Sequence, residues 1–215
     1  FYRTEVYIHE ARMAGATIHN PCVNESLVYA DLKGTDLYLG FDLIKSLPTK
    51  LAEGLVEERE DCGLYQSLED FYIRNSIGIE QLEILIFVGA FRFTGKSKPE
   101  LSVEARFLVN GQPTVENQQS LFSIEQKEFV LPEFERSEFE DVFDEMDYLG
   151  CPVSKGIFEL LEQHQDKGIT VKDFAKYHKK RITIVGYLIS RKPVPTEKGH
   201  MSFGTWIDRT GEYFD

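Results

Sequence analysis

The chain has 215 residues, 42% hydrophobic and 28% charged, and carries a net charge of −12. These proportions exclude disorder, collagen and a disulfide scaffold, and the acidity excludes a protein that merely coats nucleic acid by bulk electrostatics. No apolar run approaches the roughly 20 residues that cross a bilayer, and Phe1-Tyr2-Arg3-Thr4-Glu5 does not read as a signal peptide, so no membrane partner and a cytoplasmic location are expected.

The text EVYIHEARMAG, from Glu5 to Gly15, sets Val6, Ile8, Ala11 and Met13 among charges before a glycine stop, predicting a helix. Thr17 to Pro21 then reads as extended. Leu37 to Lys45, the turn Ser46-Leu47-Pro48-Thr49, and Lys50 to Glu60 predict two helices joined by a tight turn. Leu51, Ala52, Leu55 and Val56 share a face of the second helix, and Pro48 fits its first position. The plan recurs from Ser67 to Phe91. Ser67 with Asp70 makes a capping-box start, a short helix runs through Ile73, and Asn75-Ser76-Ile77-Gly78 supplies turn chemistry. Glu80 to Val88 is apolar nearly all round, which predicts a buried helix closed by Gly89. Residues 37 to 95 thus read as two helix-turn-helix hairpins packed on each other.

Beyond Thr94 the period weakens. A helix over Glu100 to Val109 gives way, after Pro113, to an extended connecting segment. Glu133, Glu135, Glu138, Glu140, Asp141, Asp144, Glu145 and Asp147 crowd one stretch, which reads as solvated surface. Val153, Ile157, Leu160, Leu161 and His164 return to helical spacing, and Thr170 with Asp173 caps a further helix whose apolar face is Phe174 and Tyr177. RITIVGYLISR and HMSFGTWID read as two strands joined by a loop from Pro193 to Gly199. Charge follows the same divisions: residues 1 to 95 sum to −7, residues 96 to 150 to −8 and residues 151 to 215 to +3. The basic cluster Lys176, Lys179, Lys180 and Arg181 stands directly before the first strand, where it could face nucleic acid.

A helix-hairpin-helix turn holds DNA because N–H groups at the start of its second helix converge on a phosphate without reading bases, so an acidic domain can still bind. The residues in position to do this are Lys45, Ser46, Thr49 and Lys50 in the first hairpin and Asn75, Ser76 and Gly78 in the second. The other reading is a pair of scaffold hairpins. The first turn lacks the usual glycine-hydrophobe-glycine, and Pro48 removes one amide. Gln118-Gln119-Ser120-Leu121-Phe122 puts an apolar pair in the least ordered stretch, where it either docks into a partner's pocket or folds back on its own domain. The strands after Lys180 resemble the opening of an OB-fold, with Tyr187, Phe203 and Trp206 as stacking candidates; about 35 residues are too few for five strands. Phosphate-cradling, zinc-protease and nucleophile-elbow motifs are absent, and His9, His19, His164, His178 and His200 are scattered. Cys22, Cys62 and Cys151 show no ligand spacing and read as reduced structural thiols. The opening Phe suggests a piece of something longer.

The ordered segments VYIHEARMAG…PCVN, LGFDLIK…LAEGLVEERE, YQSLEDFYIR…EQLEILIFVGAF, QQSLF, YLGCPVS and ITIVGYLISRKPVPTEKGHMSFGTWIDRTGE resemble the C-terminal half of the bacterial DNA polymerase III alpha subunit, the C-family replicase. The likeness covers almost the whole chain and lies in the order of the segments. It implies a fold that is mainly α: the end of the fingers region (1–24), a tandem helix-hairpin-helix domain on duplex DNA (25–95), a linker bearing a clamp-binding peptide (96–135), connecting helices (136–179) and the first strands of a truncated OB-fold β-barrel near single-stranded template (180–215). Gln118, Ser120, Leu121 and Phe122 match the family's peptide for the beta sliding clamp, with Gln119 at its variable position. The implied function is DNA-directed DNA synthesis by the parent protein, with Mg2+ in a palm domain that nothing here matches. No cofactor and no catalytic residue are expected in this segment. An anticodon-binding OB domain of the aminoacyl-tRNA synthetase type is the alternative; the hairpins and the Gln118 to Phe122 peptide have no place there.

Overall fold

The computed structural model describes residues 2–111, 139–156, 158–160, 168–197 and 199–215. Helix α1 (Thr4–Met13) leads into a small sheet of β1 (Thr17–His19), β2 (Asp31–Lys33) and β3 (Asp36–Tyr38), in which β3 is central, parallel to β1 and antiparallel to β2. A 3-10 turn at Phe41–Leu43 precedes α2 (Thr49–Cys62), and α3 (Leu68–Arg74), α4 (Ile79–Phe87) and α5 (Lys98–Gly111) follow. After them come α6 (Glu140–Tyr148), a 3-10 helix at Val171–Tyr177, and the antiparallel sheet β4 (Tyr187–Thr196), β5 (Gly199–Ile207) and β6 (Tyr213–Phe214). A helical domain followed by a β-rich, OB-like part is the fold expected from the sequence.

The helical core explains its own sequence. Leu82, Leu85 and Ile86 of α4 are fully buried, so that helix lies at the centre with α5 and α6 against it and α5 also on α3. Phe71 is gripped edge-on by Tyr65 and Phe91, each with ring centroids 4.9 Å away. The Ser67 hydroxyl accepts the Asp70 N–H at 3.0 Å, as the capping pattern predicts. The Asp70 carboxylate, however, turns to the Gln66 N–H at 2.9 Å rather than closing the box on Ser67. Gly89, at φ 80, ends α4 in the left-handed conformation that only glycine takes without strain. Buried Arg59 donates to the Val23 and Ser26 carbonyls at 3.0 and 2.8 Å, and Asn24 exchanges two 2.9 Å bonds with the Tyr65 backbone, so α2 and the segment between α2 and α3 hold the loop after β1.

Several expectations are corrected. Leu37 to Lys45 is not a helix: Leu37 pairs across both neighbours in the sheet, leaving a single 3-10 turn before the first hairpin. Pro48 caps α2 from outside rather than starting it. The helical body does not end at 95, because Leu101 and Ala105 of α5 are buried in the same core. The acidic stretch is solvated only in part. Glu145 is 1% exposed, and its carboxylate accepts from Asn20 Nδ2 at 2.7 Å, Val153 N at 2.6 Å, and Ser154 N and Oγ at 2.8 and 3.2 Å. Asp141 and Asp144 pair with Lys98. The Pro193 to Gly199 loop is mostly strand: β4 runs to Thr196, opposite Gly199. Pro193 and Pro195, two residues apart, turn the side without N–H groups the same way on an edge strand, where no ladder bond is lost. Arg181 to Gly186, expected to open that strand, joins no ladder. Ile157, Leu161 and His164 lie outside the described residues.

The OB-like part packs on α1. Val6, Ile189 and Ile207 form a second buried cluster with Phe158 and Tyr187 around it. The Tyr187 hydroxyl donates to Glu5 Oε1 at 2.7 Å, and the Tyr213 hydroxyl bonds the Glu10 carboxylate. The 3-10 helix is capped reciprocally by Thr170 and Asp173, and Phe174 meets Phe214 edge-on at 5.9 Å. Asp208 is buried on this side and accepts from the amides of Val171, Thr210 and Glu212 and from the Thr210 hydroxyl.

Candidate nucleic-acid interface

The two hairpin turns have the same plan and different chemistry. In each, a serine is followed by a hydrophobe that is drawn into the core: Leu47 packs partly buried against it, and Ile77 is buried. Ser46 is exposed and holds φ 65, the left-handed backbone that the glycine of a glycine-hydrophobe-glycine turn would supply. Ser46 therefore substitutes for that glycine at the cost of strain. Thr49 and Lys50 are exposed at the start of α2, where their N–H groups have no partner within the helix. In the second turn Ser76 and Gly78 are exposed, and α4 starts directly after Gly78.

Two candidates are committed elsewhere. Asn75 is buried: its Nδ2 donates to the Phe71 carbonyl at 2.8 Å and its Oδ1 accepts from the Tyr65 hydroxyl at 3.4 Å, so its side chain braces the core. The Lys45 ammonium donates to the Met146 and Asp147 carbonyls at 3.1 and 2.9 Å, and its main-chain N–H to Tyr148 at 2.8 Å, tying the hairpin to the C-terminal end of α6. Arg74, one residue before the second turn, is likewise spent on Glu58 and Asp70. Exposed Ser46, Thr49, Lys50, Ser76 and Gly78 are the candidates still facing solvent.

On the OB-like part, Phe203 is 56% exposed. Trp206 is half-buried and walls a cleft of about 350 Å³ with Ile184, Val185, Gly186 and Phe214. Tyr187 is not free to stack: burial, and then the Glu5 carboxylate that its hydroxyl meets, push its phenol up to about 12. Lys179, Lys180 and Arg181 are exposed, with Lys179 in left-handed backbone at φ 60, a conformation the sequence does not signal. The thiols of Cys22 and Cys151 are raised by burial, that of Cys151 to about 11, which removes both as nucleophiles at neutral pH. Among the described residues no group of histidine, cysteine and carboxylate side chains could hold a metal ion, and no helix is long and apolar enough to cross a membrane. The peptide Gln118 to Phe122 lies outside the described residues.

Residues 15–101 match a family model described as a helix-hairpin-helix motif. The chain is 36% identical over 115 residues to the error-prone DNA polymerases of Mycobacterium bovis and Mycobacterium tuberculosis, which covers 53% of this chain and 10% of theirs. It is 31% identical over 163 residues to the DNA polymerase III subunit alpha of Staphylococcus aureus, covering 71% of this chain and 15% of that one. For the Staphylococcus epidermidis subunit the figures are 30% over 178 residues, 78% and 16%. The chain thus spans between a tenth and a sixth of the length of these relatives. Over about half to three quarters of its length the chain is similar to DNA polymerase III alpha subunits and error-prone DNA polymerases, and its helix-hairpin-helix match spans the hairpin pair.

Proposed function

We propose that this chain is the nucleic-acid-holding portion of a DNA-directed DNA polymerase, gripping duplex through its hairpin turns while bond-making and Mg2+ reside in a palm outside it. The observation that carries the reading is the hairpin pair itself: two helix starts on one core, each preceded by a serine-hydrophobe turn, within the span that matches the helix-hairpin-helix model. Backbone N–H groups need no positive surface to hold a phosphate, which reconciles the grip with a net charge of −12. Fluorescence anisotropy with a labelled duplex tests it. Neutralising Lys50 should weaken binding uniformly across sequences and lower the salt slope by about one. An unchanged affinity and slope would favour hairpins that serve only as scaffold.

The finer reading adds two contacts. Gln118 to Phe122 serves as the tether to the beta sliding clamp, with Leu121 and Phe122 each burying apolar surface worth roughly 1.5 to 3 kcal/mol and Gln118 setting orientation. Threading of DNA through the ring then strengthens a modest peptide by raising its effective concentration. Phe203 and Trp206 supply the stacking surface for single-stranded template, while Tyr187 is withdrawn from that role by its bond to Glu5. Replacing Leu121 and Phe122 by alanine should abolish clamp pull-down and leave duplex binding intact; retained pull-down sinks the tether.

A further inference from the structure

We infer that α6 is a built-in brake on the first hairpin, an acidic helix docked so that it occupies the cation beside the turn and opposes an incoming phosphate. The inference rests on the duplex-binding reading above. Lys45 immediately precedes Ser46, the strained residue of the turn, and with Lys50 is one of the two lysines that flank it. Lys45 points at α6, where Nζ takes the Met146 and Asp147 carbonyls at 3.1 and 2.9 Å and the main-chain N–H takes Tyr148. These are the last carbonyls of the helix, its negative end, and the ammonium neutralises them.

Asp147, whose main-chain carbonyl takes one of those bonds, is exposed. Among the described residues Asp147 has no ion pair, whereas Asp141 and Asp144 are balanced by Lys98 and Glu145 by its buried donors. The charge left at this end of α6, where Lys45 is bound, is therefore negative. Buried Glu145 fastens the helix from its other face, to Asn20 and to Val153 and Ser154, so α6 cannot swing away without breaking that set. An anionic backbone reaching the first turn meets a lysine already occupied, at a helix end left negative.

The test compares duplex affinity of the full chain and its Asp147→Asn, Asp147→Glu and Lys50→Gln variants by anisotropy at 50 and 200 mM salt. A unit charge about 6 Å away in water changes an ion's binding by roughly threefold, and screening reduces this at higher salt. Asp147→Asn should bind about threefold tighter at the lower salt and less than that at the higher, with Asp147→Glu unchanged. Unchanged or weaker binding by Asp147→Asn, with Lys50→Gln still weakened, overturns the brake and leaves the grip standing. Loss of effect in all variants, or no duplex binding by the parent chain, defeats the grip and the brake with it.

Discussion

Ser46 and Glu145 are the residues where local rules and the folded molecule disagree most. A non-glycine residue at φ 65 costs about 1 kcal/mol, and among the described residues Ser46 finds no hydrogen bond to offset it. Ser46→Gly is expected to raise stability by about 1 kcal/mol in urea titration; a lowered midpoint would mean that the hydroxyl supports the turn. Glu145 is the reverse case, a charge whose burial is answered by four hydrogen bonds. Glu145→Leu strands the Asn20, Val153 and Ser154 donors and should cost about 3 kcal/mol, since bonds to a charged group are the strong ones. Asp208 responds to acid. Burial alone would raise its pKa, but the Val171, Thr210 and Glu212 amides and the Thr210 hydroxyl outweigh burial and hold it below the usual value. A depressed carboxylate contributes stability above about pH 4 that is lost as pH falls through the folded value. The OB-like part should therefore loosen in acid, and Asp208→Asn should flatten that dependence in pH-resolved melts.

At the scale of elements, patterns that depend only on neighbours in the chain were legible. The helices α1, α3 and α4, the Ser67 and Thr170 caps and the glycine after α4 follow from periodicity and cap chemistry. Ser67→Ala should cost about 1 kcal/mol, because one hydroxyl satisfies one otherwise orphaned amide, and loss of helicity on thermal melting measures it. Other elements were hidden because a partner decides them. Leu37 to Lys45 is apolar enough for a helix, yet β1 and β2 recruit its first residues into a sheet. Helix α6 was obscured by its acids, since Glu145 sits on the buried face where a hydrophobe is expected. The prolines of β4 suggested a loop, and only the edge position of that strand makes them harmless.

Across the whole molecule, the docking of the OB-like part on α1 is the feature with the clearest pH signature. Burial and then the Glu5 carboxylate raise the Tyr187 phenol to about 12, and burial and then Glu10 do the same for Tyr213. A phenol raised in the folded state contributes stability that is complete below about pH 10 and lost as pH rises through the folded value. Alkaline titration between about pH 10 and 12 should therefore release the β-part from α1 before the helical body melts. Tyr187→Phe should weaken docking at neutral pH and remove part of the alkaline step, as proteolysis within residues 151–180 would report.

The sequence by itself determined the resemblance to the polymerases, the second hairpin and the Ser67 and Thr170 caps, because these rest on residue order and on spacing within a few positions. Only the tertiary structure decided that Asn75 braces the core, that Lys45 caps α6 and that Tyr187 is bonded to α1. A polar side chain's partner is set by what the fold brings within 3 Å of it, and the partners of Lys45 and Tyr187 lie 101 and 182 residues away along the chain.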